Sequence, residues 1–112
     1  MELSSKTEER VRIVTVRDAR IDAAVAIEFK DAMRTETADG PDLVLLDLSA
    51  VEFIDSSGLG AIVAAMKHLA PPRKLALAGL TPTVDKVFKL TRMDSVFSLY
   101  ATLDDARRAL AV

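Results

Sequence analysis

Six consecutive residues, Asp55-Ser56-Ser57-Gly58-Leu59-Gly60, form the stretch whose side chains are best suited to chemistry. One carboxylate, two hydroxyls and two glycines are residue types found in nucleophile turns and phosphate-binding loops. A serine hydrolase needs Gly-x-Ser-x-Gly and a histidine base, but Ile54 stands where Ser56 would need the first glycine. His68, the single histidine, lies about 18 Å from Ser56 along one helix, whereas a base must approach within about 3 Å. Serine–histidine catalysis is therefore excluded.

The sequence also lacks the patterns that are typical of nucleotide-binding and metal-binding sites. Gly58-Leu59-Gly60 begins a GxGxxG pattern, but Val63 replaces the third glycine and Asp55 would repel a pyrophosphate. A GK[ST] sequence and cysteine are both absent, and no three ligands have metal-site spacing. We expect no catalytic residue, metal or cofactor, and hence a protein that is not an enzyme.

Composition narrows the class of protein further. The 112 residues are 50% hydrophobic, which suits one domain over 1–112 with a real core. A net charge of −2 and 4% aromatic residues argue against nucleic-acid binding. No apolar run approaches the roughly 20 residues of a membrane span, and the N-terminus lacks an apolar leader. We therefore expect a cytoplasmic protein without membrane insertion.

The stretch Asp55–Gly60, called the serine turn below, lies between a buried strand and a helix. Leu43–Leu48 is apolar on both faces, as in the central strand of a parallel sheet, and the helix runs to about Leu69. The other predicted strands are a frayed edge strand over 1–5 and strands over 11–16, 74–78 and 96–100. One further helix is predicted from the N-cap Asp22 to about Thr35, a second begins at Thr81-Pro82, and a third begins at Thr102 or Asp104. This order predicts an α/β domain with a mostly parallel, mixed sheet of four to five strands and about four helices.

The helix after the serine turn has two distinct stripes. The predicted core stripe consists of Leu59, Ile62, Val63, Met66 and Leu69. A second, flatter stripe consists of Ser57, Ala61, Ala64 and His68, with Gly60 and Lys67 beside it. This second stripe is either a docking surface for another protein or a second packing face.

Gly58 and Gly60 are unusual so early in a helix. Each costs up to about 1 kcal/mol relative to alanine. Their presence indicates that another backbone or a partner approaches closely. A serine hydroxyl at the start of this helix is suited to phosphorylation, which adds roughly −1.5 to −2 charges that a helix N-terminus tolerates. A docked partner would be displaced by that charge and bulk.

Residues 46–60, Leu-Asp-Leu-Ser-x-Val-x-Phe-Ile-Asp-Ser-Ser-Gly-Leu-Gly, resemble the phosphorylation-site segment of bacterial anti-sigma-factor antagonists with a STAS domain. Residues 84–91 and Val96-Phe97 resemble the family's C-terminal helix and last strand. The resemblance implies a single STAS domain that takes part in partner switching. The unphosphorylated antagonist binds an anti-sigma factor, which is also a serine kinase, and so frees the sigma factor. The kinase phosphorylates the serine after the motif's aspartate, and a PP2C-type phosphatase reverses this.

Carried over by position, the resemblance makes Ser56 the phosphate acceptor. ATP is then bound by the kinase and not by this chain. With the flat stripe and the two glycines of the helix, the resemblance predicts partner-binding residues at Asp22, Asp55, Ser57, Gly58, Gly60, Ala61 and Ala64. The alternatives are a STAS subunit of a transporter and a partner-switching pathway that does not control transcription.

Two segments depart from the family pattern. Ala19-Arg20-Ile21-Asp22 replaces the usual Gly-Glu-Leu/Ile-Asp, so a cation stands where the family has an acid. Arg20 is therefore able to pair with a phosphate on Ser56. Thr91-Arg92-Met93 replaces the usual Thr/Ser-Gly-Leu.

Overall fold

A five-stranded mixed sheet forms the middle layer of the computed structural model, which describes residues 1–69 and 71–110. The strands are β1 (Leu3–Glu8), β2 (Val11–Val16), β3 (Arg20–Ile21), β4 (Leu43–Asp47), β5 (Phe53–Ile54), β6 (Lys74–Ala78) and β7 (Ser98–Tyr100). The main sheet has the order β1-β2-β4-β6-β7, and only β1 runs antiparallel to its neighbour. The predicted mostly parallel α/β sheet is confirmed.

Four helices cover the two faces of this sheet. They are α1 (Ala26–Glu36), α2 (Ser56–Leu69), α3 (Pro82–Leu90) and α4 (Leu103–Leu110). The larger core cluster joins one sheet face to α1, α2 and α3, and the smaller joins the other face to α4.

The central strand β4 shows why both faces must be covered. Val44 and Leu46 point into the larger cluster, and Leu45 points into the smaller one. All three are fully buried, with 0% of their surface exposed. Burying each such side chain stabilises the fold by about 1.5–3 kcal/mol. The continuous apolar run therefore favours a central position for β4, where both of its faces are covered.

A separate two-stranded ribbon carries the serine turn. Strand β3 pairs in parallel with β5, with Arg20 opposite Phe53 and Ile21 opposite Ile54. The two isoleucines are buried in the larger core, whereas Arg20 and Phe53 are exposed. Because successive strand side chains point to opposite faces, the ribbon has an apolar inner face and an exposed outer face.

The predicted start of α1 is wrong by several residues. Asp22 is not the N-cap, because α1 begins at Ala26 and its capping position is Val25. The Asp22 side chain accepts a hydrogen bond from the Ala24 amide, and its carbonyl accepts one from the Val25 amide, each at 3.1 Å. An aspartate whose side chain accepts a hydrogen bond from the amide two residues later stabilises a turn, so the helix begins later in the chain.

The predicted strand over 96–100 is also shorter than expected. Strand β7 begins at Ser98, because Met93–Ser95 forms a 3₁₀ turn before it. The amides of Val96 and Phe97 donate to the Met93 carbonyl oxygen, at 3.0 and 2.9 Å. These residues satisfy their backbone locally and do not join the sheet. At α4, Thr102 is the cap, since its hydroxyl accepts the Asp105 amide at 3.0 Å.

Candidate functional site

Asp55 links the start of α2 to the turn that precedes α1. One carboxylate oxygen accepts a hydrogen bond from the Gly58 amide at 2.8 Å, which caps α2. The other accepts one from the Ala23 amide at 3.2 Å, in the turn that leads to α1. The Asp55 carboxylate thus acts as the N-cap of α2 and also holds the loop before α1.

These contacts favour the ionised form of Asp55. The backbone hydrogen bond from Gly58 is the main cause that lowers the pKa of the Asp55 carboxyl below its ordinary value. Partial desolvation opposes this, and the Ala23 amide adds to the lowering. Asp55 therefore carries a negative charge directly beside Ser56 at neutral pH.

Gly58 lies where α2 meets strand β3. A Cβ atom on Gly58 would stand 1.9 Å from the carbonyl oxygen of Ile21 and 2.7 Å from its carbonyl carbon. No side chain fits at that distance, so the helix needs glycine here. The prediction that another backbone approaches a helical glycine is confirmed at Gly58.

Gly60 has the opposite environment. A Cβ on Gly60 would meet no atom within 4 Å, and the residue is exposed. No contact within the described chain requires glycine at this position. Space beside Gly60 is therefore open to a partner, which remains a prediction.

Ser56 is the first residue of α2, and its side chain is exposed. Ser57, which follows it, is exposed as well. Within residues 1–69 and 71–110, neither hydroxyl takes part in a side-chain hydrogen bond. Both are therefore free to meet a modifying enzyme. His68 lies in the last turn of α2, at the far end from Ser56.

The second stripe of α2 is buried only in its middle, at Ala61, while Ser57, Gly60, Lys67 and His68 are exposed. Ala61 is only 3% exposed and Gly58 is buried, so within the described chain these two residues pack inside and are not on the surface. Ala64 is half-buried and lines a narrow groove together with residues of α1. Small side chains on this side of α2 allow α1 to pack closely against it, and Ala61 is part of the larger core cluster. In the predicted core stripe, Ile62 and Leu69 are buried, while Leu59, Val63 and Met66 pack partly buried against the core.

Arg20 and Phe53 form an exposed pair on the outer face of the ribbon. The Arg20 guanidinium carbon lies 4.3 Å from the centre of the Phe53 ring, within the range of a cation–π contact. Its Nε also donates to the Asp22 carboxylate at 3.1 Å. Periodicity does not reveal this pair, because strands of two residues are too short to show a period. The one sequence signal is an aromatic residue three positions before Ser56.

Neither metal binding nor membrane spanning is indicated by the described residues. Across 1–69 and 71–110, no three acidic or histidine side chains lie close enough to hold a metal ion. Among the helices of this part of the chain, none is long and apolar enough to cross a membrane.

The strand order of the sheet and the serine turn at the start of α2 are the features that a family comparison must match. The family model described as the STAS domain matches residues 2–106. The chain belongs to the STAS domain family, as the motif over 46–60 predicts.

Several proteins named as anti-sigma factor antagonists are similar to this chain. The anti-sigma-F factor antagonist RsfB of Mycobacterium tuberculosis is 31% identical over 86 residues, covering 77% of this chain and 70% of RsfB. An anti-sigma-B factor antagonist of Listeria monocytogenes is 30% identical over 80 residues, covering 70% of each chain. The crystal structure of an anti-sigma factor antagonist from Mycobacterium paratuberculosis matches with a TM-score of 0.87 at 32% identity, covering 99% of this chain and 94% of that chain.

Proposed function

We propose that this chain is an anti-sigma factor antagonist controlled by phosphorylation of Ser56. In its unphosphorylated form it binds an anti-sigma factor that is also a serine kinase, and the sigma factor is released. Similarity to proteins named as antagonists of anti-sigma factors supports the choice of partner. The partner-switching cycle is the one implied by the motif over 46–60.

The observation that carries the proposal is the environment of the Ser56 hydroxyl. It is exposed at the first position of α2, immediately after an aspartate whose two oxygens already hold the turn. Asp55 is thus structural, and Ser56 is free. A kinase can reach this hydroxyl without breaking a hydrogen bond of the described chain.

A phosphate on Ser56 acts on the partner more than on the fold. The free amides of a helix N-terminus stabilise nearby negative charge, so α2 tolerates the modification. A partner docked against the same end meets added charge, bulk and desolvation cost. The ionised Asp55 strengthens that negative field.

The proposed contact surface is made of the exposed and half-buried residues around the turn. It comprises Asp22, Asp55, Ser56, Ser57, Gly60 and Ala64. Gly58 and Ala61 act from inside, by allowing β3 and α1 to pack against α2. Their roles are to place the surface rather than to touch the partner.

The remaining chemistry belongs to other proteins. The kinase supplies ATP and transfers the phosphate, and a PP2C-type phosphatase removes it. This chain contributes an acceptor hydroxyl and a binding surface, and no catalytic residue. We place the whole cycle in the cytoplasm, where sigma factors act.

A binding experiment with four forms of the chain tests this function. Wild type, Ser56→Ala, Ser56→Asp and the control Ser98→Asp are immobilised, captured proteins are identified, and the affinity of the purified kinase is measured. Ser98 is a suitable control because it is exposed on β7, away from α2.

We expect wild type, Ser56→Ala and Ser98→Asp to bind the kinase alike. Ser56→Asp should bind it roughly tenfold or more weakly. Full affinity of Ser56→Asp would contradict the switch. Capture of a transporter component by all four forms would favour the transporter alternative.

A further inference from the structure

Arg20 is a cation held loosely on the outer face of the β3–β5 ribbon. Its side chain is 61% exposed, although it pairs with Asp22 at 3.1 Å. Exposed ion pairs of this kind contribute little to stability and are screened by salt. Arg20 is therefore available to a stronger anion that appears nearby.

The ribbon register brings such an anion within reach. Arg20 lies opposite Phe53, and Ser56 follows Phe53 by three positions. With a rise of about 3.3 Å per residue and about 4.8 Å between strands, the two Cα atoms of Arg20 and Ser56 are no more than about 11 Å apart. An extended arginine and a phosphoserine together span that distance.

The charges around Ser56 favour the approach of a cation to a phosphate there. The carboxylates of Asp22 and Asp55 lie at the same end of the ribbon, and Glu52 is exposed just before Phe53. On the neighbouring helix, Glu28 is already paired with the amino group of Met1. A phosphate added here increases an existing negative charge, which favours recruitment of Arg20.

We propose that, in the phosphorylated protein, Arg20 leaves Asp22 and binds the phosphate on Ser56. The proposal rests on Ser56 being the acceptor in the function proposed above. A guanidinium binds phosphate through two parallel charge-assisted hydrogen bonds, which are stronger than a single exposed bond to a carboxylate. Arg20 thus stabilises the phosphorylated form and shields its phosphate from the phosphatase.

The loop that leads to α1 can survive this exchange. Asp22 uses its other oxygen to accept the Ala24 amide, and Asp55 holds the Ala23 amide. Neither bond involves Arg20. Departure of the guanidinium therefore changes one exposed pair and uncovers the Phe53 ring, while the turn keeps its hydrogen bonds.

The test uses the full chain with phosphoserine encoded genetically at position 56. Phosphorus-31 NMR follows the second ionisation of the phosphate in the native background, in Arg20→Gln and in Arg17→Gln. Arg17 is a matched control because it is an exposed arginine whose Nε donates to Ser4 rather than to the ribbon. A second measurement compares the Arg20 Nε–H signal in the chains with serine and with phosphoserine at position 56.

We expect the second ionisation constant of the phosphate to be at least about threefold larger in the native background than in Arg20→Gln. Arg17→Gln should match the native background, and the Arg20 Nε–H signal should shift on phosphorylation. Equal constants with a folded Arg20→Gln chain would overturn the proposal. An unshifted Nε–H signal would overturn it as well, and this readout needs no variant.

The encoded phosphate separates this question from the proposed function. If Arg20 binds the phosphate while the phosphorylated chain still binds the kinase fully, the switch is wrong and the Arg20 contact stands. If kinase binding is lost but the phosphate ionises alike with and without Arg20, the switch stands and the Arg20 contact is wrong.

Discussion

The carbonyl oxygen of Ile21 occupies the space that a side chain on Gly58 would need, with only 1.9 Å between that oxygen and a Cβ at position 58. This contact brings the start of α2 against strand β3. It therefore positions Ser56, two residues earlier, beside the ribbon that carries Arg20 and Asp22. The neighbouring Gly60 has no such contact, and the two glycines serve different purposes.

The two glycines should respond oppositely to alanine. Gly58→Ala should lower the free energy of unfolding by about 1–3 kcal/mol or more, because the added methyl group collides with backbone. Gly60→Ala should raise it by about 0.5–1 kcal/mol, because alanine is the better helix former and meets nothing. Urea unfolding of both variants measures this. Equal destabilisation by the two substitutions would contradict the packing at Gly58.

Larger residues at Gly60 should affect binding rather than folding. Gly60→Met projects into open space beside the serine turn, where the kinase is proposed to dock. We expect an unchanged melting temperature and a loss of roughly tenfold in kinase affinity, with Gly60→Ala as the smaller control. A collapse of the melting temperature in Gly60→Met would show instead that the position packs within the chain.

Phosphate should appear on Ser56 and not on Ser57. Incubation with the kinase and ATP, followed by peptide mass spectrometry, locates the modification. Ser56→Ala should resist labelling, while Ser57→Ala should still be labelled, because Ser56 directly follows Asp55 at the first position of α2. Phosphate on Ser57 alone would refute the assignment.

Asp55 should make stability depend on pH in acid. Its pKa is lower in the folded chain than its ordinary value, chiefly because of the Gly58 amide, so the folded state binds fewer protons than the unfolded state. The stabilisation is present above the unfolded value of about 4 and is lost as pH falls through the lower folded value.

An asparagine variant isolates this contribution. Asp55→Asn should be less stable than wild type at pH 7, and the difference should shrink as pH falls below about 4. Urea midpoints over that range measure it, with the exposed Asp31→Asn as control. A difference between wild type and Asp55→Asn that stays constant down to pH 3 would contradict the assigned cause.

Much of the fold follows from local sequence pattern. The unbroken apolar run before Asp47 predicts a central strand, and β4 occupies the centre of the sheet. Boundaries were harder to predict where a side chain or a tight turn satisfies the backbone locally. The turn at Asp22 makes α1 begin later in the chain than predicted, and the turn at Met93 does the same for β7.

By itself the sequence determined the order of the main strands and helices, the STAS motif and the position of the serine turn before α2, since these depend on residues close together in the chain. Only the tertiary structure decided which side of α2 is free. Ala61 and Ala64 fall on one helical stripe with Ser57, yet Ala61 is buried in the core, Ala64 is half-buried in a groove beside α1, and Ser57 is exposed. Tertiary structure also paired Arg20 with Phe53, whose positions lie 33 residues apart. Helix periodicity describes one helix alone, and it carries no information about which neighbour will cover each face.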